Sequence, residues 1–263
     1  MKRIFTIAAA ALAVLCSVCV FVVGGQAGAY AWNLAVFILA PAAVLLLLPQ
    51  LVFLLWGLFR HRQIAGNLAA LAVTLLLALP ITVLFGLSPV CYPDTAAPGS
   101  AVTMTMPVEN GVLFGGADYR SHAMWPSERY AYDIVCDPHN TGSSSLTDYG
   151  IFNAEVYAPV NGTVLAAKDD EADIQPGSDI FQSSLGNYLF LQIDETGTYV
   201  ILAHLEKDSI SVQTGDHITA GMPIARVGNS GTTSEPHLHL QHQQNDPRTM
   251  RFPSCAVGLP IEF

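Results

Sequence analysis

Two histidines separated by one residue lie near the end of the chain, in the segment Pro236–Leu240. Alternate side chains of a β-strand point to the same face, so His237 and His239 would point together if this segment is a strand. Neutral imidazole nitrogens are good zinc ligands, and an adjacent pair suits a zinc site. Two solvent-facing histidines on a strand are a common alternative, so the pair needs support from other residues.

Two further residues could share such a site. His204 ends an apolar run that begins at Tyr199, which predicts a strand with a histidine at its end, although such a histidine alone is more often structural. Asp133 lies in the run Tyr130–Val135, where a carboxylate is costly unless it is paired or binds a metal. The sequence leaves open whether Asp133 is a metal ligand or the salt-bridge partner of Arg129.

The elements that must position these residues are short apolar runs separated by turns. This pattern predicts an all-β domain over residues 107–263. Residues 142–145 and 169–179 are predicted to be exposed polar loops. The turn signals include Asn161-Gly162, Thr196-Gly197, Thr214-Gly215 and Asn229-Ser230-Gly231.

The first 88 residues have a different composition. Three long apolar runs, about residues 4–23, 34–59 and 64–87, each reach the roughly 20 residues that a transmembrane helix needs. We therefore predict a membrane anchor of three transmembrane helices over residues 1–88 and a linker rich in Pro, Gly, Ser and Thr over residues 89–106. A cleaved signal peptide is the alternative for the first run.

Charge gives the orientation of this anchor. Lys2, Arg3, Arg60 and Arg62 are the only Lys or Arg residues before Ser88, and all 21 acidic residues follow it. The positive-inside rule places the basic residues in the cytoplasm and the β domain outside the cell. So acidic a domain is a poor partner for nucleic acid, whose phosphates repel it.

Cysteine usage fits an extracytoplasmic domain, where disulfides can persist. Cys91, Cys136 and Cys255 allow one bridge and leave one thiol over. The sequence does not choose the pair, and Cys136 with Cys255 is the pair that we favour.

Taken in order, the motifs of the β domain resemble those of the lysostaphin-type (LytM-like) zinc metalloendopeptidases. The resemblance covers roughly Met106–Gln241 and implies an antiparallel β fold, a zinc cofactor, and hydrolysis of peptidoglycan stem or bridge peptides at a bacterial cell membrane. The matching segments are Tyr157–Val164, His204-Leu205, Gly215-Asp216, Gly221, Gly228–Gly231 and His237–His239.

The family also implies roles for individual residues. Its zinc is held by an aspartate, by a histidine four residues before that aspartate, and by the second histidine of the His-x-His motif. Asp133 and His239 would be ligands, and His204 and His237 would act on the attacking water. Arg129 stands at the first histidine position and stays protonated, so it cannot bind zinc.

A displaced histidine could replace the missing ligand. The resemblance favours His122, 11 residues before Asp133, as the third ligand, since some relatives carry the histidine in such an upstream loop. His139, six residues after Asp133, is the second candidate.

Two other functions fit parts of the chain. An inactive family member that binds or activates a cell-wall hydrolase would explain Arg129, although the sequence names no protein partner. A lipoyl- or biotinyl-type carrier resembles Val212–Ile224, but it needs a lysine at a hairpin tip, and neither Lys168 nor Lys207 lies in such a motif.

Overall fold

The chain divides into two compact units. The first comprises residues 1–95 with 124–126, and the second comprises residues 96–123 with 127–263. The computed structural model describes residues 2–62, 64–85, 87, 91–97, 99–116, 122 and 124–263.

The first unit is helical, as predicted. Three helices, Ile4–Val23, Gly25–Phe59 and Ala65–Phe85, are long and apolar enough to cross a membrane. Their α-helical parts are α1 (Lys2–Val18), α2 (Gly25–Leu34), α3 (Ala40–Phe59) and α4 (Ala65–Ala78); Cys19–Val23 and Ala35–Leu39 are π-helical and Leu79–Phe85 is a 3-10 helix.

One prediction for this unit is wrong. The gap between the first two apolar runs predicts a loop over residues 24–33, but these residues are helical from Gly25 onward. Gly24 and Gly25, with φ of +64° and +53°, mark the break between the first two helices. Ala29 and Trp32 are buried within the unit, so packing extends the second helix beyond the run that hydropathy alone defines.

The second unit is built on antiparallel strands. A seven-stranded sheet has the order β2-β3-β10-β7-β6-β5-β8, and β4 pairs with β9 in a separate antiparallel pair. The strands are β1 (Val102–Thr103), β2 (Val112–Gly115), β3 (Tyr132–Val135), β4 (Glu155–Tyr157), β5 (Gly162–Lys168), β6 (Asn187–Ile193), β7 (Tyr199–Leu205), β8 (His217–Ile218), β9 (Pro223–Arg226), β10 (Leu238–Gln243) and β11 (Ile261–Glu262).

The register of β10 is fixed by its apolar residues. Leu238 and Leu240 are fully buried in the main core of the unit. A slip by one residue would move both from the core, and each buried leucine contributes roughly 2 kcal/mol. With this register, His239 lies opposite Asp133 on β3 and opposite Ala203 on β7.

Part of the predicted linker is a strand. Val102–Thr103 pairs in parallel with Ile261–Glu262, so the beginning and the end of the second unit lie side by side. A pattern of Pro, Gly, Ser and Thr could not reveal this pairing, because its partner strand is more than 150 residues away.

The favoured disulfide is not formed. No disulfide links the five cysteines, each of which lies within the described residues. The Cys136 thiol contacts the carbonyl of Glu109 at 3.6 Å, whereas Cys255 is buried at the end of a short 3-10 turn. The two side chains are therefore held in different surroundings.

A buried ion pair organises the loop between β5 and β6. Glu171, predicted to lie in an exposed loop, is only 1% exposed, and its carboxylate accepts hydrogen bonds from Lys168 and from Ser183. Burial raises the pKa of Glu171, but these two donors and the backbone N–H groups of Gln182 and Ser183 outweigh it and lower the pKa to about 2. The loop is thus tied to β5 by a charged group.

We expect Glu171→Gln to lower the free energy of unfolding of the β unit by on the order of 3 kcal/mol at pH 7. A carboxylate whose pKa is depressed on folding stabilises the protein above its unfolded pKa, near 4.5, and loses that contribution as the pH falls through about 2. Urea unfolding of the full chain in detergent, followed by far-ultraviolet circular dichroism, should show the difference between wild type and variant shrinking between these pH values.

Asp170→Asn is the matched control. Asp170 also lies near Lys168, at 3.6 Å, but its side chain is 85% exposed, and exposed ion pairs contribute at most about 1 kcal/mol. A Glu171→Gln variant with the stability and pH profile of Asp170→Asn would contradict the stabilising role of the buried pair.

Candidate metal centre

Three metal-type side chains converge at the middle of the sheet. One ligand atom of each of His122, Asp133 and His239 lies within 4.8 Å of the others. His122 Nε2 is 3.1 Å from Asp133 Oδ2, and His239 Nδ1 is 3.1 Å from Asp133 Oδ1. Asp133 and His239 are brought together by the register of β3 with β10, and His122 comes from the segment that precedes β3.

The charge of Asp133 is held by its histidine neighbours. Burial raises the pKa of this carboxyl group, but attraction to His237 in its protonated form and the hydrogen bonds from His122 and His239 outweigh it and hold the pKa well below its usual range. The group is therefore a carboxylate at neutral pH. A half-buried carboxylate among nitrogen donors is an environment in which a cation is stabilised.

The donor set fits zinc. Two imidazole nitrogens and one carboxylate oxygen are ligands that Zn²⁺ accepts, and three protein ligands leave a coordination position open in catalytic zinc sites. The two histidines present different nitrogens toward Asp133: Nε2 in His122 and Nδ1 in His239. The second nitrogen of each ring contacts an oxygen, the Ala131 carbonyl for His122 and Gln241 for His239.

A second pair of histidines lies beside this group. The rings of His204 and His237 are 4.7 Å apart, and those of His204 and His239 are 6.0 Å apart. His204 Nδ1 donates to the carbonyl of Ser230 at 2.8 Å, and His237 Nδ1 donates to the carbonyl of Glu235 at 2.8 Å. A backbone carbonyl can only accept, so each neutral ring keeps its proton on Nδ1 and a lone pair on Nε2.

His204 is kept neutral by its surroundings. Burial and the charges of His237 and His239 lower the pKa of His204 well below its usual value. Its backbone has φ of +62°, a conformation that residues with a side chain rarely adopt and that is typical of functional positions.

The carbonyl that orients His204 is itself tightly held. The Ser230 hydroxyl donates to the Leu205 carbonyl at 2.7 Å and accepts from the Asn187 backbone at 2.9 Å. Gly186, with φ of +63°, packs against the Ser230 backbone, and a Cβ at this position would lie only 2.3 Å from the Ser230 carbonyl carbon. Only glycine fits here.

The five predicted site residues lie together, and the other candidates do not join them. His139 instead bonds Asp137 at 2.8 Å on the surface. The partners of Asp133 are histidines, whereas the Arg129 guanidinium lies 5.4 Å from the centre of the Tyr130 ring. The ligand and catalytic roles of the five residues stay predictions.

Sequence reasoning missed the residues that orient the histidines. The sequence places Ser230 in a turn and gives Gly186 no role. Their contact forms only where two loops meet, so no local pattern predicts it. Gln241 could have been found, since it follows His239 by two residues and must share its face on a strand.

Residues 145–250 match the model of peptidase family M23. This segment of the β unit therefore matches that peptidase family, and the resemblance to lysostaphin-type and LytM-like enzymes is confirmed. The matched range includes His204, His237 and His239 but begins after His122 and Asp133. The assignment of those two residues thus depends on the geometry of the site.

Three solved structures illustrate what this chain is similar to. A Pseudomonas aeruginosa protein assigned to peptidase M23 is 16% identical, with 63% of this chain and 52% of that chain covered and a TM-score of 0.37. Lysostaphin from Staphylococcus simulans is 20% identical, with 57% of this chain and 47% of that chain covered and a TM-score of 0.36. A chain of the SpoIIIAH and SpoIIQ complex is 18% identical, with 54% of this chain and 93% of that chain covered and a TM-score of 0.36. The chain spans about half the length of the first two.

Proposed function

We propose that this protein is a membrane-anchored zinc metalloendopeptidase that hydrolyses peptide bonds in the stem or bridge peptides of bacterial peptidoglycan. The observation that carries the proposal is the three-donor group of His122, Asp133 and His239 with the His204–His237 pair beside it. The match of residues 145–250 to peptidase family M23 supports the peptidase class, and the residues of the site would supply the chemistry that this class needs.

His122, Asp133 and His239 would hold the zinc ion. When bound, zinc would polarise the carbonyl of the scissile peptide bond and make a water molecule acidic enough to attack it at neutral pH. The three side chains thereby fix where the carbonyl and the water meet.

The two remaining histidines would move the proton. The Nε2 lone pair of His204 or of His237 would accept the proton of the attacking water, and the same ring would return it to the leaving amine. Because each Nδ1–H is tied to a backbone carbonyl, a ring can donate from Nε2 only after it has accepted this proton. A ring so protonated could also stabilise the negative charge that develops on the carbonyl oxygen.

The three apolar helices support a location in the bacterial cell membrane. Arg60 and Arg62 lie between the second and third helices, and the positive-inside rule places them in the cytoplasm. The β unit, which follows the third helix, would then lie outside the cytoplasm, where peptidoglycan is found. In this arrangement the helices are an anchor.

A non-catalytic member of the family is the second candidate, and Arg129 is the observation that favours it. Loss of the usual histidine at this position would leave two of three ligands. His122 supplies a nitrogen 3.1 Å from Asp133, which supports a complete donor set and hence the peptidase. A measurement of bound metal separates the two candidates.

The test is the zinc content of the full chain purified in detergent, by elemental analysis, with His122→Ala measured alongside. We expect about one zinc per wild-type chain, as a single donor group implies, and almost none in the variant because two ligands hold zinc weakly. His139→Ala is the matched control, since its ring lies on the surface against Asp137, and it should keep the metal.

Hydrolysis is tested on purified peptidoglycan by mass spectrometry of newly formed amino termini. The expected result is release of peptide fragments by wild type and none by His122→Ala. A folded wild-type protein without zinc would overturn the proposal in favour of the non-catalytic candidate. Zinc binding without cleavage of peptidoglycan would overturn the proposed substrate.

A further inference from the structure

A row of polar side chains extends along β10 from the candidate metal centre. His239, Gln241 and Gln243 alternate with the core-facing leucines and are only 5%, 4% and 2% exposed. Burying an amide costs free energy unless its groups are hydrogen-bonded. Gln241 and Gln243, which lie on the same face of β10 as the candidate ligand His239, therefore require hydrogen-bond partners.

Those partners form one continuous chain of hydrogen bonds. His239 Nε2 lies 3.4 Å from Gln241 Oε1, and Gln241 Nε2 donates to Gln243 Oε1 at 2.7 Å. Gln243 Nε2 then donates to the backbone carbonyl of Asn245. The row thus begins at an imidazole and ends at a peptide group.

The last acceptor sets the direction of the whole row. A backbone carbonyl has no proton, so Gln243 must present its NH₂ group to Asn245 and its oxygen to Gln241. Gln241 must then present its NH₂ group to Gln243 and its oxygen to His239. An oxygen at that position can only accept, so the Nε2 atom of His239 must carry a proton.

We propose that Gln241 is a positioning residue for the metal centre. It holds the His239 ring with a proton on Nε2, so that Nδ1, the nitrogen that faces Asp133, is the one that would bind the metal. The inference rests on the proposed zinc site. The Asn245 carbonyl sets the direction of the hydrogen bonds, and Gln243 and Gln241 connect it to His239. Hydrogen bonds to the second nitrogen of a ligand histidine fix its orientation and increase its basicity.

The other candidate ligand has the same arrangement with its nitrogens exchanged. His122 presents Nε2 to Asp133, and its Nδ1 contacts the Ala131 carbonyl at 3.4 Å. For His122 the acceptor is a backbone group in direct contact. For His239 the nearest backbone acceptor in this row is two side chains away, which explains why two buried glutamines follow it.

The test compares two substitutions at position 241 in the full chain. Gln241→Met keeps the length of the side chain but removes the acceptor, and we expect zinc affinity, measured by competition with a chelator, to fall about 10- to 100-fold. Gln241→Glu restores an acceptor and should bind zinc within a few-fold of wild type. Gln192→Met, which replaces a glutamine on β6 whose side chain donates to the Gly197 carbonyl, should leave affinity unchanged.

A second measurement reports on the hydrogen bond itself. In zinc-loaded protein labelled with ¹⁵N-histidine, the Nε2 proton of His239 should resonate downfield, move upfield in Gln241→Met, and move back in Gln241→Glu. A purely packing role for Gln241 would leave this resonance unchanged, because methionine fills nearly the same volume.

The outcomes separate this inference from the proposed function. Wild-type protein without zinc would overturn the proposed function. Zinc binding by wild type, with equal affinity and an unmoved Nε2 proton in Gln241→Met, would overturn only the role of Gln241. Failure of Gln241→Glu to restore affinity in a protein with wild-type thermal stability would also overturn it.

Discussion

His239→Ala is expected to lose the metal and, with it, all hydrolysis of peptidoglycan. His239 is one of three protein donors, and its ring is buried against Asp133, so no solvent-exposed side chain can replace it. Zinc sites that fold with their metal have binding free energies of about 10–16 kcal/mol. Loss of one donor in three should cost about 3–5 kcal/mol, which is more than about 100-fold in affinity. Elemental analysis and a chelator competition would measure both quantities.

His242→Ala is the matched control for this variant. His242 is also buried on β10 but faces the other side of the sheet, where it bonds the Thr198 hydroxyl at 2.8 Å and the Pro260 carbonyl at 3.1 Å. Its loss should lower thermal stability and leave zinc bound. Equal zinc content in His239→Ala and wild type would remove His239 from the ligand set.

His204→Ala and His237→Ala should have the opposite signature, in which zinc is kept and hydrolysis is lost. Neither ring belongs to the three-donor group, and both carry an Nε2 lone pair that can take a proton. General acid–base catalysis contributes about 100- to 10,000-fold to a rate. We expect kcat on peptidoglycan fragments to fall by this factor in each variant, while elemental analysis still finds about one zinc per chain, the stoichiometry of a single site.

The backbone of His204 requires one additional variant. Its φ of +62° is more strained for alanine than for asparagine, which tolerates this conformation. His204→Asn therefore keeps the local fold and removes the proton acceptor, so it should be as inactive as His204→Ala. Activity close to wild type in His204→Asn would exclude His204 from proton transfer, and the same result in His237→Ala would exclude His237.

Local rules were sufficient for the part of the site that lies on strands. The period of two predicts that His237 and His239 share a face, and both rings contact Asp133. The cost of burying a carboxylate drew attention to Asp133, whose role as a ligand stays a prediction. The alternation of leucines with histidines fixes this face of β10 without knowledge of its neighbours. The three apolar helices could also be predicted from the sequence, because a candidate membrane span is recognised by its length and composition.

Features that depend on distant contacts could not be read in this way. Burial of Glu171 depends on Ser183, 12 residues away, and on the ion pair with Lys168, so a polar loop in the sequence is in fact partly internal. Residues 24–33 are helical because other helices cover them. His122 was found through family resemblance, since no periodicity connects it with Asp133.

The carbonyls that hold His204 and His237 belong to the main chain, and this affects which substitutions the site can tolerate. Every amino acid supplies a carbonyl, so replacing the Glu235 side chain cannot delete the acceptor for His237. The sensitive positions are instead those that set the path of the backbone, above all Gly186 beside Ser230. In a saturation mutagenesis experiment, sequence variation should therefore be wide at Glu235 and almost absent at a glycine that has no functional group.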